Sequence, residues 1–153
     1  MKEESKIKRY ERVYDQIKEL VKATDNPLSR MATINAILHH KFNYYYWTGF
    51  YELIDGDLLV SAYQGPVACL KLKKDTGVCW AGINTKNTVV VANVHDFPGH
   101  IACSSASNSE IVVPVFNKEG KVVAVLDVDS KELNSFDEAD RVGLEKIVAL
   151  IYS

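Results

Sequence analysis

The spacing of apolar residues predicts two helices at the start of the chain. In residues 5–24, apolar side chains recur every three or four positions with charged residues between them, as on one face of a helix. The polar stretch that follows can end this helix and start another, with Asn26 as its cap and Pro27 in its first turn. This second helix, over about 27–41, has the same apolar spacing. Both apolar faces are expected to pack against a core or a second subunit.

From residue 44 onward, the pattern changes to that of β-strands. Residues 44–51 are rich in aromatic side chains, Asp55-Gly56 is a strong hairpin signal, and residues 57–64 form the returning strand. Side chains alternate between the two faces of a strand. One face of the first strand is therefore expected to carry Tyr45, Trp47, Gly49 and Tyr51. These aromatic rings are either ordinary core, or Trp47 and Tyr51 wall a small-ligand pocket.

The middle of the chain predicts shorter elements. Residues 67–73 form a strand or a loop, and they contain Cys69. A short helix is expected after the turn at 75–77, with Cys79 in its first turn, where the helix dipole can stabilise a thiolate. Residues 88–94 are rich in β-branched side chains and predict a buried strand.

The last third of the chain predicts a second hairpin and a final helix. Residues 111–116 pair with residues 121–129 across a polar turn. Ser135 and Glu138 have the spacing of a capping box, with the serine as the cap of a helix over about 136–152. Consecutive hairpins imply an antiparallel sheet, and helices at both ends of the sequence can cover one of its faces. The pattern therefore predicts one α+β domain.

Composition and charge narrow the class of protein. The 153 residues have the length of one domain, and a hydrophobic content of 47% suffices for a core. The formal net charge of -2 argues against a nucleic-acid binder, and no apolar run reaches the length of a membrane span. The N-terminus lacks an apolar signal core, so we expect a cytoplasmic protein, in which structural disulfides are rare.

The stretch 95–110, HDFPGHIACSSASNSE, has the composition of a loop and is long for a connection within a domain. It carries Cys103 together with His95 and His100, whose protonated rings would favour a thiolate. The other two cysteines of the chain are Cys69 and Cys79. All three can be small buried apolar residues, or they can act as redox groups.

Acidic residues supply further candidate chemistry. Asp127 and Asp129 are two positions apart on a predicted strand, so both point to the same face. Such acids often only cap turns or bind backbone amides. Together with Glu110, they can alternatively hold an ammonium group or donate a proton to a substrate oxygen.

Other catalytic classes have less support in the spacing of these residues. The cysteines and histidines are ligand types for zinc, but the chain has no Cys-x2-Cys pair and no two histidines at short helical spacing, so no metal is expected. The G-x-S-x-G elbow of a hydrolase and a glycine-rich phosphate loop are both absent from the sequence. A thiol reductase needs one attacking cysteine and a second within reach, and this is the chemistry we expect.

Several motifs carry a resemblance to one family. The run VHDFPGHIACSSASNSEIVVPV at 94–115 closely resembles the signature of the free methionine-(R)-sulfoxide reductases, which are single-domain proteins of the GAF fold. Shorter matching runs occur at 47–51, 64–69, 77–79, 125–130 and 136–145. The resemblance implies a GAF-like α+β fold with a central antiparallel sheet of about six strands. The terminal helices would pack on one face, and the short helix and active-site loops on the other. The single domain, 1–153, would comprise N-terminal helices over about 5–41, the sheet and catalytic loops over about 44–130, and a C-terminal helix over about 136–152.

The resemblance also implies a reaction. The enzyme would reduce the R epimer of free methionine sulfoxide, and not the oxidised residue within a protein. Cys103 matches the nucleophile, which would attack the sulfoxide sulfur and become a sulfenic acid. Cys69 matches the main resolving cysteine, which would close a disulfide with Cys103, and Cys79 matches a third, reserve thiol. Thioredoxin would supply the electrons, so no further cofactor is expected.

The remaining site residues match the family's substrate pocket. Its acidic cluster corresponds to Glu110, Asp127 and Asp129, and its aromatic wall corresponds to Trp47 and Tyr51. One position departs from the family, because Trp80 follows Cys79 where a glycine is usual. A homodimer paired through the N-terminal helix is also expected. The alternative is a GAF-type sensor that holds a small ligand without turnover.

Overall fold

The computed structural model describes residues 1–100 and 106–153. In these ranges the helices are α1 (Glu3–Leu20), α2 (Pro27–Lys41), α3 (Gly77–Thr85) and α4 (Glu138–Val148). The strands are β1 (Trp47–Ile54), β2 (Asp57–Gln64), β3 (Lys71–Leu72), β4 (Val89–Val91), β5 (Ser109–Phe116) and β6 (Val122–Ser130). They form one antiparallel sheet in the order β3-β2-β1-β6-β5-β4. No helix within the described ranges has the length and apolar character needed to cross a membrane.

The two faces of the sheet carry different layers. On one face, α1, α2 and α4 bury side chains such as Ile17 and Leu144 against Leu126 of β6. On the other face, α3 packs against Val112 and Val125. The predicted α+β arrangement is therefore confirmed, with terminal helices on one face of a six-stranded antiparallel sheet and the short helix on the other.

Local chemistry accounts for most of the predicted element boundaries. The Asn26 side chain caps α2 by accepting a hydrogen bond from the Ser29 backbone N–H at 2.9 Å, as predicted. Asp55 and Gly56 have φ values of 52° and 84°, as a type I′ hairpin turn requires. In the second hairpin turn, the Asn117 side chain accepts hydrogen bonds from two backbone N–H groups further along the turn, each at 3.0 Å. Both predicted hairpins are confirmed.

The aromatic run at 44–51 differs from the prediction in its first part. The strand begins only at Trp47, and Tyr45 lies on the helical side of the sheet, stacked on Phe42 with ring centroids 4.9 Å apart. The Tyr45 hydroxyl is held there by the hydroxyl of Tyr10 from α1, at 2.5 Å. Trp47 and Tyr51 pack on the opposite face. The prediction that Tyr45 shares the face of Trp47 and Tyr51 is therefore wrong.

The predicted buried strand over 88–94 is shorter and more exposed than expected. Only Val89–Val91 pairs, and it pairs at the sheet edge with β5 as its one neighbour. Val90 is 43% exposed. The chain then turns through a short 3-10 helix at Val94–Asp96, which the Asn93 side chain caps. An edge strand has no partner on its outer side, so β-branched residues there need not be buried.

The cap of α4 is Asp137 and not Ser135, so that part of the prediction is wrong. The Asp137 carboxylate accepts hydrogen bonds from the backbone N–H groups of Ala139, at 3.0 Å, and Asp140, at 3.4 Å. The Asp140 carboxylate accepts in return from the Asp137 backbone N–H at 2.8 Å. The Ser135 hydroxyl instead donates to the hydroxyl of Ser130 in β6, at 2.7 Å.

The Asp140 side chain joins α4 to the N-terminal part of the chain. It is fully buried. Its carboxylate accepts hydrogen bonds from Lys6 Nζ at 2.7 Å, from the Tyr10 hydroxyl at 2.7 Å and from the Tyr44 hydroxyl at 2.6 Å. Lys6 is 4% exposed, so this ion pair is shielded from solvent.

Asp140→Asn is expected to lower the free energy of unfolding by about 3–5 kcal/mol, because it leaves the buried ammonium of Lys6 without its main counter-charge. Urea denaturation measures the loss. Asp15→Asn, at an exposed carboxylate on α1, is the matched control and should leave the transition midpoint nearly unchanged. Equal midpoints for the two variants would contradict this role of Asp140.

Candidate active site

A pocket on the α3 side of the sheet gathers most of the predicted site residues. Acidic, aromatic and thiol side chains reach it from β1, β5, β6 and the first turn of α3. The predicted residues that line it are Trp47, Tyr51, Cys79, Glu110, Asp127 and Asp129.

The register of the sheet explains why the three acids meet. Glu110 of β5 pairs directly with Asp129 of β6. On the other side of β6, Asp129 pairs with Trp47 and Asp127 pairs with Gly49. Because Asp127 and Asp129 are two residues apart, both point to the α3 face. Antiparallel pairing therefore places three carboxylates beside the aromatic wall of β1.

The aromatic wall is fixed by stacking and by hydrogen bonds to the neighbouring loop. The Trp47 ring stacks on Tyr51, with centroids 5.8 Å apart, and on Tyr63, with centroids 5.3 Å apart. Trp47 Nε1 donates a hydrogen bond to the Pro66 carbonyl at 3.0 Å, and the Tyr51 hydroxyl donates to the Cys69 carbonyl at 3.4 Å. Both bonds hold the loop that contains Cys69 against the pocket.

The carboxyl groups lie in an environment that disfavours negative charge. Glu110 and Asp127 are 5% and 6% exposed. Burial raises the pKa of Glu110 well above its ordinary value, and the charges of Asp127 and Asp129 raise it further. Burial also raises the pKa of Asp127, although hydrogen bonds with Glu110 and Cys79 oppose this shift. Burial and the charge of Asp127 raise the pKa of Asp129 in the same way.

The described lining of this pocket includes no lysine or arginine. Glu110 and Asp127 are buried and Asp129 is half-buried, and carboxyl groups in such a place without a cation beside them either retain protons or attract a positively charged ligand. The pocket is therefore suited to a small cation-bearing molecule that also has an apolar part for the aromatic wall.

The buried carboxyl cluster predicts a stability that falls as the pH rises. The pKa values of Glu110, Asp127 and Asp129 are higher in the folded chain than in the unfolded chain, where a carboxyl pKa is about 4. The folded state thus binds more protons above about pH 4, so this contribution is fully present below that pH and is lost as the pH rises through the raised pKa values. We expect the free energy of unfolding to increase from about pH 8 to about pH 5.5.

Urea denaturation at several pH values measures this dependence. The double variant Glu110→Gln/Asp127→Asn is the comparison, because it keeps the rest of the chain but removes two of the three carboxyl groups. Its stability should change less with pH than that of the wild type. Equal pH slopes in the two proteins would contradict the assignment to this cluster.

Cys79 lies in the first turn of α3, as predicted, but its thiol is not activated. Burial raises its pKa well above the ordinary value, and the charges of Asp127, Glu110 and Asp129 raise it further. The prediction that the helix N-terminus favours a Cys79 thiolate is therefore wrong. The partial charge of a helix terminus is about half a unit, and desolvation together with three nearby carboxylates outweighs it.

Of the other two cysteines, the structure describes only Cys69. Cys69 is half-buried between β2 and β3, and it is disulfide-bonded in this structure. Cys103 lies outside the described residues, so its predicted position is not tested. Trp80, which departs from the family pattern, is buried in the core under α3, where its Nε1 donates to the Leu72 carbonyl at 3.5 Å. This bond ties α3 to β3.

The two histidines of the loop have different surroundings. His95 is exposed and its Nε2 lies 3.1 Å from Asn108 Oδ1. His100 lines the pocket, and burial together with the charge of His95 lowers its pKa. Ser107 also lines the pocket, and its side-chain hydrogen bond lowers the pKa of Asp129. The sequence assigns no role to Ser107, because its contact with Asp129 comes from the fold and has no local motif.

The fold and the pocket together define an α+β domain with a pocket between its sheet and a short helix. A family model for the GAF domain matches residues 41–152. The chain is 44% identical over 149 residues to GAF domain-containing protein A of Dictyostelium discoideum, and this alignment covers 96% of this chain and 92% of that protein. It is 38% identical over 122 residues to the free methionine-R-sulfoxide reductase of Escherichia coli, and this alignment covers 80% of this chain and 73% of that protein.

Solved structures of free methionine-R-sulfoxide reductases are also similar to this chain. The free methionine-R-sulfoxide reductase of Neisseria meningitidis in complex with its substrate has a TM-score of 0.87 at 38% identity, covering 94% of this chain and 86% of that one. The reduced fRMsr of Staphylococcus aureus has a TM-score of 0.89 at 36% identity, covering 94% and 92%. The chain therefore belongs to the GAF domain family, in the group of the free methionine-R-sulfoxide reductases.

Proposed function

We propose that this protein reduces free L-methionine (R)-sulfoxide to L-methionine in the cytoplasm, using electrons from thioredoxin. The observation that carries the proposal is the pocket that the carboxyl groups of Glu110, Asp127 and Asp129 line together with the rings of Trp47 and Tyr51, in a chain of this family. His100, which belongs to the same sequence motif as Cys103, lines this pocket.

The chemistry of the pocket fits a free amino acid better than a residue within a protein. The ammonium group of a free amino acid is a cation that the carboxylate cluster can hold, and a peptide nitrogen carries no such charge. The methyl and methylene groups of methionine sulfoxide fit the stacked rings of Trp47 and Tyr51. A carboxyl group with a raised pKa can also donate a proton to the sulfoxide oxygen as the sulfur is attacked.

In the proposed reaction, the Cys103 thiolate attacks the sulfoxide sulfur. A proton is delivered to the sulfoxide oxygen, and the resulting hydroxyl group passes from the substrate sulfur to the Cys103 sulfur. The transient bond between the two sulfur atoms breaks, so methionine leaves with its electron pair and Cys103 becomes a sulfenic acid. The Cys69 thiol then attacks this sulfenic sulfur, which releases water and forms the Cys69–Cys103 disulfide. The dithiol of thioredoxin reduces this bond and is itself oxidised to a disulfide. The disulfide-bonded state of Cys69 supports its proposed role.

Cys79 fits a reserve role in this scheme. A thiol whose pKa is raised is mostly protonated at neutral pH, so it attacks slowly. We also propose that the protein works as a homodimer. The groove between α1 and α4 leaves Ile7 and Val142 exposed, at 45% and 44%, and this apolar surface is suited to a second subunit.

The direct test is an assay of the purified protein with dithiothreitol and each epimer of methionine sulfoxide, both free and within a peptide. Loss of the free R epimer with formation of methionine is expected, while the S epimer and both peptide forms remain. Failure to consume the free R epimer would overturn the proposal. Binding of the R epimer without turnover would instead favour a sensor of the GAF type.

Cys69→Ser is expected to uncouple the protein from thioredoxin. Without the resolving thiol, each site should release one methionine and then stop, because the Cys103 sulfenic acid has no partner. With thioredoxin, its reductase and NADPH, we expect a burst of one methionine per site. The steady rate that follows should be at least about 100-fold slower than that of the wild type. Dithiothreitol reduces a sulfenic acid directly, so turnover should return with it, and this is the internal control. Unchanged turnover with thioredoxin would assign resolution to Cys79.

A further inference from the structure

The substrate pocket contains a set of donor atoms that the proposed reaction uses only in part. Cys79 Sγ and one carboxylate oxygen each of Glu110 and Asp127 lie within 4.8 Å of one another. The three side chains come from α3, β5 and β6, so the fold brings together residues that are distant in the sequence. All three are buried, at 5%, 5% and 6% exposure.

One atom of this group lacks a partner. Asp127 Oδ1 is buried and accepts no hydrogen bond from any part of the chain that the structure describes. A buried carboxylate oxygen without a donor costs free energy, and it gains the most from a ligand that is a cation. The same pocket has no lysine or arginine among its described lining residues that could fill this place.

The chemistry of the donors selects among cations. Magnesium and calcium prefer shells made entirely of oxygen. A thiolate with two carboxylates suits zinc, which binds sulfur at about 2.3 Å and oxygen at about 2.1 Å in a tetrahedral arrangement. Donors in such a shell are about 3.5 Å apart, so atoms that lie within 4.8 Å of one another need to approach by little more than about 1 Å. Three protein ligands leave a fourth position for water.

We propose that Cys79, Glu110 and Asp127 form a Zn²⁺ site, and that the bound ion closes the pocket to substrate. On binding, the Cys79 thiol loses its proton to solvent and its sulfur becomes a zinc ligand, with no change in oxidation state. The ion and the ammonium group of methionine sulfoxide need the same carboxylates, so they exclude each other. The binding of zinc is independent of the proposed activity, whereas its competition with substrate rests on it.

Titration of the apo protein with Cd²⁺, which forms the same thiolate bonds as Zn²⁺ but gives a near-ultraviolet sulfur-to-metal absorption, tests the site. One equivalent should produce this absorption, and competition with a chromophoric chelator gives the Zn²⁺ affinity. Cys79→Ser should remove the absorption and weaken Zn²⁺ binding about 100-fold, and Cys79→Ala should do the same. Glu110→Gln should keep the absorption but weaken binding by at least about 10-fold.

The matched control is the double variant Cys69→Ser/Cys103→Ser, which keeps Cys79 as its one thiol and should bind Zn²⁺ with unchanged affinity. Loss of binding in this double variant, or its retention in the Cys79 variants, would assign the ion to the loop cysteines and overturn the proposal. Absence of the absorption in the wild type would do the same. Free methionine (R)-sulfoxide should raise the apparent Kd for Zn²⁺. Zinc binding without this competition would overturn the proposal that the ion closes the pocket to substrate, but it would leave the zinc site itself in place.

Discussion

Replacing Cys103 with serine is expected to reduce the turnover of free methionine (R)-sulfoxide by about 10³-fold or more. A serine hydroxyl is protonated at neutral pH, and its oxygen cannot take up the sulfoxide oxygen as a thiolate sulfur does when it becomes a sulfenic acid. The measurement is kcat/KM with dithiothreitol, so that the resolving step and thioredoxin do not contribute. Retained activity would show that another thiol attacks the substrate, and Cys69→Ser and Cys79→Ser would then identify it.

Substrate binding supplies the control for this variant. The carboxylate cluster and the wall formed by Trp47 and Tyr51 do not include Cys103. Calorimetric titration of Cys103→Ser with the R epimer should therefore give a Kd close to the value that single-turnover kinetics give for the wild type. No product should form. A loss of binding together with a loss of activity would indicate that the pocket itself has changed.

Glu110→Gln is expected to lower kcat/KM by about 10- to 100-fold and at the same time to stabilise the protein. A hydrogen bond to a charged group contributes about 1.5–3 kcal/mol, so removal of the carboxylate weakens the grip on the substrate's ammonium group by that amount. The free energy of unfolding should increase, because Glu110 is buried beside two other acids and the amide that replaces its carboxyl group carries no charge. The opposite signs of the two changes separate a substrate-binding role from a structural one.

Steady-state kinetics and urea denaturation of the same preparation measure both effects. Asp96→Asn is a suitable control, because Asp96 is an exposed acid outside the lining of the pocket, and it should change neither quantity. A Glu110→Gln protein that is less active and also less stable would mean that the carboxylate supports the fold. Full activity in this variant would remove Glu110 from the substrate site.

The elements that the sequence predicts well depend on local interactions. Asp55-Gly56 and the turn at 117–120 specify their hairpins because the required φ values and side-chain hydrogen bonds lie within a few residues. Asn26 caps α2 for the same reason. The alternation at Asp127 and Asp129 correctly places both acids on one face, since this follows from strand geometry alone.

Two of the wrong predictions concern residues whose partners are distant in the sequence. Tyr45 turns to the helical side because the Tyr10 hydroxyl of α1 meets it there, 35 residues away. Cys79 has the position expected in its helix, but burial and, after it, three acids from two strands raise its pKa, against the helix dipole. Neither effect can be predicted from the spacing of apolar and polar residues near the affected position.

The sequence by itself determined the class of the domain, its hairpins and the residue types of a thiol reductase, because turn chemistry, strand alternation and the motif at 94–115 are all readable along the chain. The tertiary structure decided which of these residues share an environment. Only the pairing of β5 with β6 and the packing of α3 on the sheet place Glu110, Asp127 and Cys79 within reach of one another. Burial and charge act through space, so the protonation of the pocket and its affinity for cations follow from the fold.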